Sequence, residues 1–288
     1  MKITDLFAAS DPVVSFEFFP PKTARGTEKL YRTIEHLKPC EPAFVSITYG
    51  AGGGTQVRTL ELVERIQQEL GIETMAHLTC VGANRSEIRE LLLRLRDAGI
   101  DNLLALRGDP PRGQTEFEVT PGGFAHANEL IQFIRDEGFD FCIGAACYPE
   151  KHVQSPSFDH DLEMTQRKVE VGADFLISQL FFDNDDFFAF LRRARRAGIR
   201  VPVQPGIMPI TNVKQVERFT SMCGARVPQE LYRRLKIVEH DPAAVVATGV
   251  HWSIQQCREL RRKGCAGVHF YTLNESSATL AVHAALGY

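Results

Sequence analysis

Short bursts of apolar, β-branched and aromatic residues recur along this chain about every thirty residues, the length of one strand–helix unit. They fall at 13–19, 43–48, 74–79, 102–107, 141–147, 175–181, 201–207 and 267–271. Between them the period changes from two to about 3.6. Leu60, Val63, Ile66, Gln67 and Leu70 share one helix face, and Ile88, Leu91, Leu92 and Leu95 share another. Gly71, Gly99, Gly138 and Gly198 stand where a helix must stop before the next strand, the position at which glycine relieves a left-handed turn. Strands alternating with helices, with no break in composition, predict an α/β fold: a (β/α)8 TIM barrel spanning 1–288 as one domain. An open doubly wound sheet is the alternative, but it wants a glycine fingerprint after the first strand, and here Pro20-Pro21-Lys22 follows. The gap between strands seven and eight is longer than the others. Helical pattern at 228–235 and 253–262 places extra helices there, and 276–286 reads as a closing helix.

Composition narrows the function classes. A formal charge of −3 over 288 residues gives no electrostatic reason to expect nucleic acid or an anionic membrane. The basic clusters Arg192-Arg193 with Arg195-Arg196, and Arg258 with Arg261-Arg262-Lys263, read as solvated helix faces. Seven scattered cysteines without a C-x-x-C pair argue against a disulfide framework and suit a reducing compartment. No run is long and apolar enough for a membrane span, and 1–5 lacks the apolar core of a signal peptide. A soluble, cytoplasmic protein is expected.

The first strand holds the most informative residue. In Val13-Val14-Ser15-Phe16-Glu17-Phe18-Phe19, alternation sets Ser15 and Glu17 on one face and Val14, Phe16 and Phe18 on the other. A carboxylate on a buried strand face costs several kcal/mol unless it is paired or protonated. Desolvation favours the protonated form of a carboxyl, which suits a general acid working near neutral pH. A core glutamate bonded to an arginine elsewhere in the chain is the competing reading. Polar residues recur where other strands end: Thr48-Tyr49-Gly50, His77 and Thr79, Arg107-Gly108-Asp109, Tyr148 through His152, Gln179, Gln204 and His269 with Tyr271. The C-terminal rim is where a barrel of this kind carries its site. His77 alone could be a hydrogen-bonded core residue, Arg107 and Asp109 a structural pair, and the glycine-rich 50–55 either a ligand cradle or a plain turn. Collected at one end of successive strands, the set points to a ligand site. No metal-ligand spacing, nucleophile elbow, P-loop or dinucleotide glycine motif is present, so the demanding chemistry would fall to an organic cofactor.

Several blocks together resemble the 5,10-methylenetetrahydrofolate reductase family, in its bacterial catalytic-domain form. They are Ser15-Phe16-Glu17-Phe18-Phe19-Pro20-Pro21-Lys22, Ser46-Ile47-Thr48-Tyr49-Gly50-Ala51, His77-Leu78-Thr79-Cys80, Ala105-Leu106-Arg107-Gly108-Asp109, Tyr148-Pro149-Glu150 and His269-Phe270-Tyr271-Thr272-Leu273-Asn274. Their order and spacing span nearly the whole chain. The resemblance implies a flavoprotein barrel that binds FAD at its rim and works by a ping-pong reaction. NADH or NADPH reduces the flavin and leaves; methylenetetrahydrofolate then takes its place and becomes methyltetrahydrofolate, for one-carbon metabolism and methionine synthesis. On this resemblance Glu17 would be the acid that protonates folate N10, and Asp109 would act beside flavin and pterin. Thr48, His77, Arg107, Gly108, Asp109, His126, Ala127, Tyr148, His152, Asp161 and Lys168 would hold FAD. Arg107, His152 and Lys168 would face its diphosphate and Asp161 its hydroxyls. Gln179, Gln215 and Phe219, with Glu17, would meet the substrate.

Two departures stand out. Glu275 occupies a place where family members commonly carry a basic residue for the folate glutamate tail, and His126 one where tyrosine is common. The resemblance further implies a homo-oligomer with small-molecule partners only. No ribose-reading motif separates NADH from NADPH. A reductase fed by a partner subunit, or a non-catalytic folate- or flavin-binding barrel, would share much of this pattern. Glu17, Asp109 and Gln179 together speak against a pure binder.

Overall fold

A computed structural model describes residues 1–9, 12–48, 56–109 and 117–287. Tyr49, Gly50 and the remainder of the 50–55 loop lie outside the described residues. The chain opens with helix α1 (Ile3–Ala8) and strand β1 (Val13–Phe18). There follow α2 (Ala24–Leu37), β2 (Phe44–Ile47), α3 (Gln56–Arg65) with a wider π turn at Ile66–Leu70, β3 (Thr74–Thr79), α4 (Arg85–Asp97) and β4 (Asn102–Leu106). Next come α5 (Ala127–Asp136), β5 (Cys142–Cys147), α6 (Phe158–Glu170), β6 (Phe175–Ser178) and α7 (Asn184–Arg196). Beyond them lie the short β7 (Val203–Gln204) and β8 (Gly206–Ile207), three helices α8 (Val213–Cys223), α9 (Gln229–Ile237) and α10 (Pro242–Arg262), β9 (Gly267–Tyr271) and α11 (Ser277–Leu286). All strand pairs are parallel, in the order β7-β6-β5-β4-β3-β2-β1-β9-β8.

The ring closes through one broken strand. The run expected as continuous at 201–207 is split at Pro205, which has no N–H to give to a ladder. Before the break Val203 and Gln204 pair with Leu176 and Ile177 of β6; after it Gly206 and Ile207 pair with His269 and Phe270 of β9. The Pro205 carbonyl still accepts from His269 N at 2.9 Å. Gly206 permits the crossing, because a Cβ there would lie 2.3 Å from the Ser178 carbonyl oxygen and 2.6 Å from the Tyr271 ring. Strand six, expected to reach 181, stops at Ser178: the Gln179 side chain accepts from Leu180 N at 2.9 Å, in place of a ladder partner. The four helix-stopping glycines do take left-handed conformations, with φ between 67° and 86°.

Outside the ring, the apolar helix faces pack on the strands as one continuous core that includes Leu30, Ile34, Val63, Ile88, Leu92, Ile131 and Phe187. Inside it, the lower layer is apolar: Val13, Phe44, Met75, Leu104, Cys142 and Phe175, sealed from below by Ile3 of α1. Fully burying a side chain such as Ile3 is worth about 1.5–3 kcal/mol. Asn102 fixes the plug by accepting from Ile3 N at 2.8 Å and donating to the Met1 carbonyl at 2.9 Å. Above this layer the interior turns polar, with Ser15, Ser46, His77, Gln204 and His269 all buried. A second apolar cluster sits at the C-terminal ends of β6, β8 and β9. It joins Leu180, Phe182, Met208 and Ile210 to Val213, Val216, Leu231, Leu235 and Val245 of α8, α9 and α10.

The basic clusters expected to be solvated are partly structural. Arg195 donates to the carbonyls of Ile199 at 2.7 Å and Val201 at 3.0 Å, while Arg258 and Arg261 each donate at 3.0 Å to carbonyls at the end of α11. Arg258 and Arg261 thus satisfy carbonyls that the end of α11 leaves open, and Arg195 carbonyls of the loop that follows its own helix. Among the described residues no helix is long and apolar enough to cross a membrane.

Candidate active site

Parallel register decides what surrounds Glu17. Ser15 of β1 lies opposite His269 of β9, and Glu17 opposite Tyr271 on one side and Ser46 of β2 on the other. The Glu17 carboxyl, buried at the top of the polar layer, places Oε2 3.3 Å from His269 Nε2 and 3.5 Å from His77 Nε2. His269 Nδ1 in turn lies 2.8 Å from Ser15 Oγ. Phe44 stacks on the His269 ring from below and Tyr271 meets it edge-on. Tyr271 is itself fixed by donating to the Ser178 carbonyl at 2.8 Å. The carboxyl's partners are thus two imidazoles rather than the arginine of the competing reading.

Burial pushes the His77 imidazole down to about 4, against the opposing pull of Glu17, with His269 adding to the fall. His77 is therefore neutral at physiological pH. Its Nε2, buried and short of hydrogen-bond geometry with Glu17, has no hydrogen-bond partner among the described residues. Ser15, His269 and Glu17 form a hydrogen-bonded chain that ends at one carboxyl at the barrel mouth, with His77 close by.

A cavity of about 440 Å³ opens between the ends of β4 and β5 and helices α5 and α6, and no residue of the Glu17 cluster is among its lining. Seven residues expected at a cofactor site line it: Arg107, His126, Ala127, Tyr148, His152, Asp161 and Lys168. Lys168 is half-buried, its ammonium pushed down by desolvation and donating to the Ala146 carbonyl. It lies 5.9 Å from the centre of the Tyr148 ring, and His152 meets that ring edge-on at 4.8 Å. Burial lowers the His152 imidazole, with Arg107 and Lys168 adding to the fall and Asp109 opposing it. Burial raises the Asp161 carboxyl, while the His152 backbone N–H, donating to it at 3.3 Å, and Lys168 pull it down. Positive and donor groups converging on one cavity, with no carboxylate ion-paired to Lys168 among the described residues, suit a dianionic ligand.

The other expected residues are placed differently. Thr48, Gly108 and Asp109 do not line this cavity, and His77 belongs to the Glu17 cluster. Gly108 has φ +85°, and a Cβ would lie 2.7 Å from Val81, so the turn carrying Asp109 requires glycine there. Asp109 is exposed. Arg107 lies 5.1 Å from the Phe117 ring centre and donates to the Gly108 carbonyl, with no ion pair to Asp109 among the described residues. Gln179 follows β6, held through its backbone N–H to the Cys147 carbonyl at 2.7 Å. Gln215 and Phe219 lie one turn apart on α8, both half-buried, with Phe219 packed on the second apolar cluster beside Tyr271. Glu275 is exposed and ion-paired with Lys29 of α2 at 2.5 Å. Among the described residues no group of three His, Cys, Asp or Glu could hold a metal ion.

His160, Met164 and Arg167 also line the cavity and were not anticipated. The signal was present: with Asp161 and Lys168 they repeat at three- and four-residue spacing and so share one face of α6.

Comparison with known proteins follows the same lines. The family model described as methylenetetrahydrofolate reductase matches residues 2–287. A methylenetetrahydrofolate reductase (NADH) 1 of Arabidopsis thaliana is 40% identical over 296 residues, covering 99% of this chain and 50% of the plant protein. The 5,10-methylenetetrahydrofolate reductase of Escherichia coli is 35% identical over 274 residues, covering 95% of this chain and 90% of that enzyme. The chain thus spans about half the length of the plant relatives it matches and nearly all of the bacterial one. Among solved structures, an uncharacterized protein from Clostridium thermocellum that binds two copies of 5-methyl-5,6,7,8-tetrahydrofolic acid superposes with a TM-score of 0.67. It covers 99% of this chain and 98% of its own, at 16% identity, a likeness of fold.

Proposed function

The chain belongs to the methylenetetrahydrofolate reductase family, and from that premise we propose that it reduces 5,10-methylenetetrahydrofolate to 5-methyltetrahydrofolate. Electrons come from NADH or NADPH through FAD in a ping-pong cycle. The observation that carries this reading is the Glu17 carboxyl, buried at the barrel mouth with two imidazole nitrogens on Oε2 at 3.3 and 3.5 Å. Opening the folate ring breaks the bond from the bridging carbon to N10, and N10 must receive a proton. Glu17 delivers it, and His269, hydrogen-bonded to the carboxyl and on its far side to Ser15, holds that carboxyl in place; solvent at the open mouth supplies the proton that restores the acid. His77, kept neutral by burial, stands near the same oxygen without placing a cation beside it.

The cavity residues fit FAD. Lys168, Arg107 and His152 would hold its diphosphate, Asp161 would accept from its hydroxyls, and Tyr148 would give a flat apolar wall. FAD, when bound, supplies the hydride chemistry that no side chain of this protein can. Gln179 would bond the pterin, Asp109 would favour the cationic form of the opened folate, and Gln215 with Phe219 would bind the part of either substrate that overhangs the rim. A soluble cytoplasmic homo-oligomer feeding methionine synthesis completes the proposal.

The test is anaerobic stopped flow on the purified protein, following flavin absorbance. NADH or NADPH should bleach the flavin and methylenetetrahydrofolate should restore it. A flavin that neither nucleotide bleaches, but that folate reoxidises after dithionite, would replace this reading with a partner-fed reductase. A protein without flavin would end it.

A further inference from the structure

The loop between α8 and α9 is tied to the barrel rim by one side chain. Arg226 sends Nη2 to Asp186 Oδ2 at 2.8 Å and to Asp183 Oδ2 at 3.1 Å, while its backbone N–H donates to Glu150 Oε1 at 2.8 Å. Its Nε is 4.0 Å from the same glutamate oxygen. Three carboxylates, from the loop after β5 and from the start of α7, therefore meet on one arginine.

Each anchor is itself fixed. Asp183 caps α7 through its other oxygen, accepting from Asp185 N at 3.0 Å, and Asp186 lies in the first turn of that helix. Glu150 stands between Tyr148 and His152, which both line the cavity. Next to it the two segments touch again. Gly224 ends α8 with φ +76°, and a Cβ there would lie 2.7 Å from Val153 Cγ1. The contact is thus close enough to require glycine as well as the ionic bridge.

What this anchors is α8. Its inner face packs through Val213 and Val216 on the second apolar cluster, and Phe219 reaches the same cluster beside Tyr271. Its first turn is capped by Asn212, accepting from Gln215 N at 3.0 Å, and Glu217 beyond it pairs with Lys236 of α9 at 3.2 Å, a neighbouring inserted helix rather than the barrel. Apolar packing is non-directional and sets the depth of a helix better than its rotation or slide. A charged bond to fixed acceptors at the far end supplies the missing constraint.

We infer that Arg226 is a positioning residue: by bridging Glu150, Asp183 and Asp186 it holds α8 in place so that Gln215 and Phe219 meet the substrate. The inference rests on the reading of those two residues as substrate contacts. It adds a coupling, because the bridge ties the helix over the mouth to the loop that also forms the cavity wall. Arg226 touches no substrate and acts through the helix alone.

The experiment uses the flavin-loaded protein with Arg226→Gln and Arg226→Lys. KM and kcat are measured for methylenetetrahydrofolate and for the nucleotide, and hydrogen exchange is followed at amides 213–223. For Arg226→Gln, KM for both substrates should rise about tenfold with kcat within about threefold, since positioning of bound groups is what is lost. Exchange should quicken in α8 and stay unchanged in the barrel strands, and Arg226→Lys should recover part of both effects. Unchanged KM, or unchanged exchange in α8, would overturn the inference. So would a fall in kcat that tracks lost flavin and a lowered melting temperature, which marks a merely structural residue. If the unmodified protein turns over neither substrate, the proposed function fails on its own. Exchange at 213–223 then still decides the bridge, with no change in Arg226→Gln ruling it out.

Discussion

Replacing Glu17 with glutamine separates the proton from everything else the carboxyl does. Glutamine has the same shape, and its amide can still reach His269 and His77, which stand 3.3 and 3.5 Å from Oε2. Removing one member of a buried ion pair usually costs about 3–5 kcal/mol, because a charge is left stranded. Here burial keeps His77 neutral, so no cation is stranded on that side. Stability of Glu17→Gln should therefore change by no more than about 1 kcal/mol. The chemistry should change far more. A positioned general acid contributes about 10²–10⁴ in rate, or roughly 2.7–5.4 kcal/mol of barrier. The half-reactions can be watched separately by anaerobic stopped flow. Bleaching of flavin by the nucleotide should stay within about threefold of the unmodified protein, since that step needs no proton at folate N10, while recovery with methylenetetrahydrofolate should slow at least about a hundredfold. Recovery at a near-normal rate would refute the acid assignment. A loss of stability near 4 kcal/mol would refute the account of His77 as neutral, because it would mean that Glu17 leaves a charged partner stranded.

Lys168→Met tests the cavity: losing charge-assisted hydrogen bonds of about 1.5–3 kcal/mol should weaken flavin binding roughly 10- to 100-fold. Titrating the stripped protein with FAD measures this, and an unchanged affinity would remove Lys168 from the diphosphate site. Two pH effects have opposite signs. His77, held near 4 when folded against 6.5 in the unfolded chain, contributes stability that is present above 6.5 and drains away as pH falls toward 4. In denaturant titrations His77→Leu should flatten that slope; an identical slope would place the titration elsewhere. Glu150 behaves in the reverse way. Burial raises its carboxyl to about 7, with Asp186 and Asp183 adding and Arg226 opposing, so its contribution is present below 4.5 and is lost as pH rises through 7. Glu150→Gln should therefore gain on the unmodified protein between pH 5 and 8, and a difference independent of pH would exclude this assignment.

The residues that could be read from the sequence are those whose role is written into local pattern. Alternation in β1 put Ser15 and Glu17 on one face, and both do point into the barrel, because period two admits no other arrangement in a strand. The strand runs and the helix-stopping glycines were legible for the same reason. What escaped was whatever depends on pairing across the ring. Nothing near Glu17 in the chain announces that His269, 252 residues away, will stand beside it; only the β1–β9 register does that. His77 looked like one more rim residue, although closure of the barrel turns it toward the acid. The break in strand seven was half legible. Pro205 forbids a ladder bond, but that the two halves serve opposite neighbours follows only once β6 and β9 are known to meet there.

The same distinction explains the missed residues on α8 and its surroundings. Arg226 sits in a short loop with no period of its own, and its three acceptors come from the loop after β5 and the start of α7. Glu150 could be seen as polar but not as buried, and burial is what brings its carboxyl to about 7. Arg226 is indeed exposed, and a single solvated pair of this kind is worth under about 1 kcal/mol. Its consequence comes instead from where the tethered helix lies, over a mouth whose acid is fixed from below by β1, β3 and β9. On the proposed reading the barrel holds its proton donor through strand register, and ties the helix proposed to face substrate back to the rim through the Arg226 bridge. Mutation of the bridge should accordingly be felt in affinity, and mutation below the mouth in the chemical step.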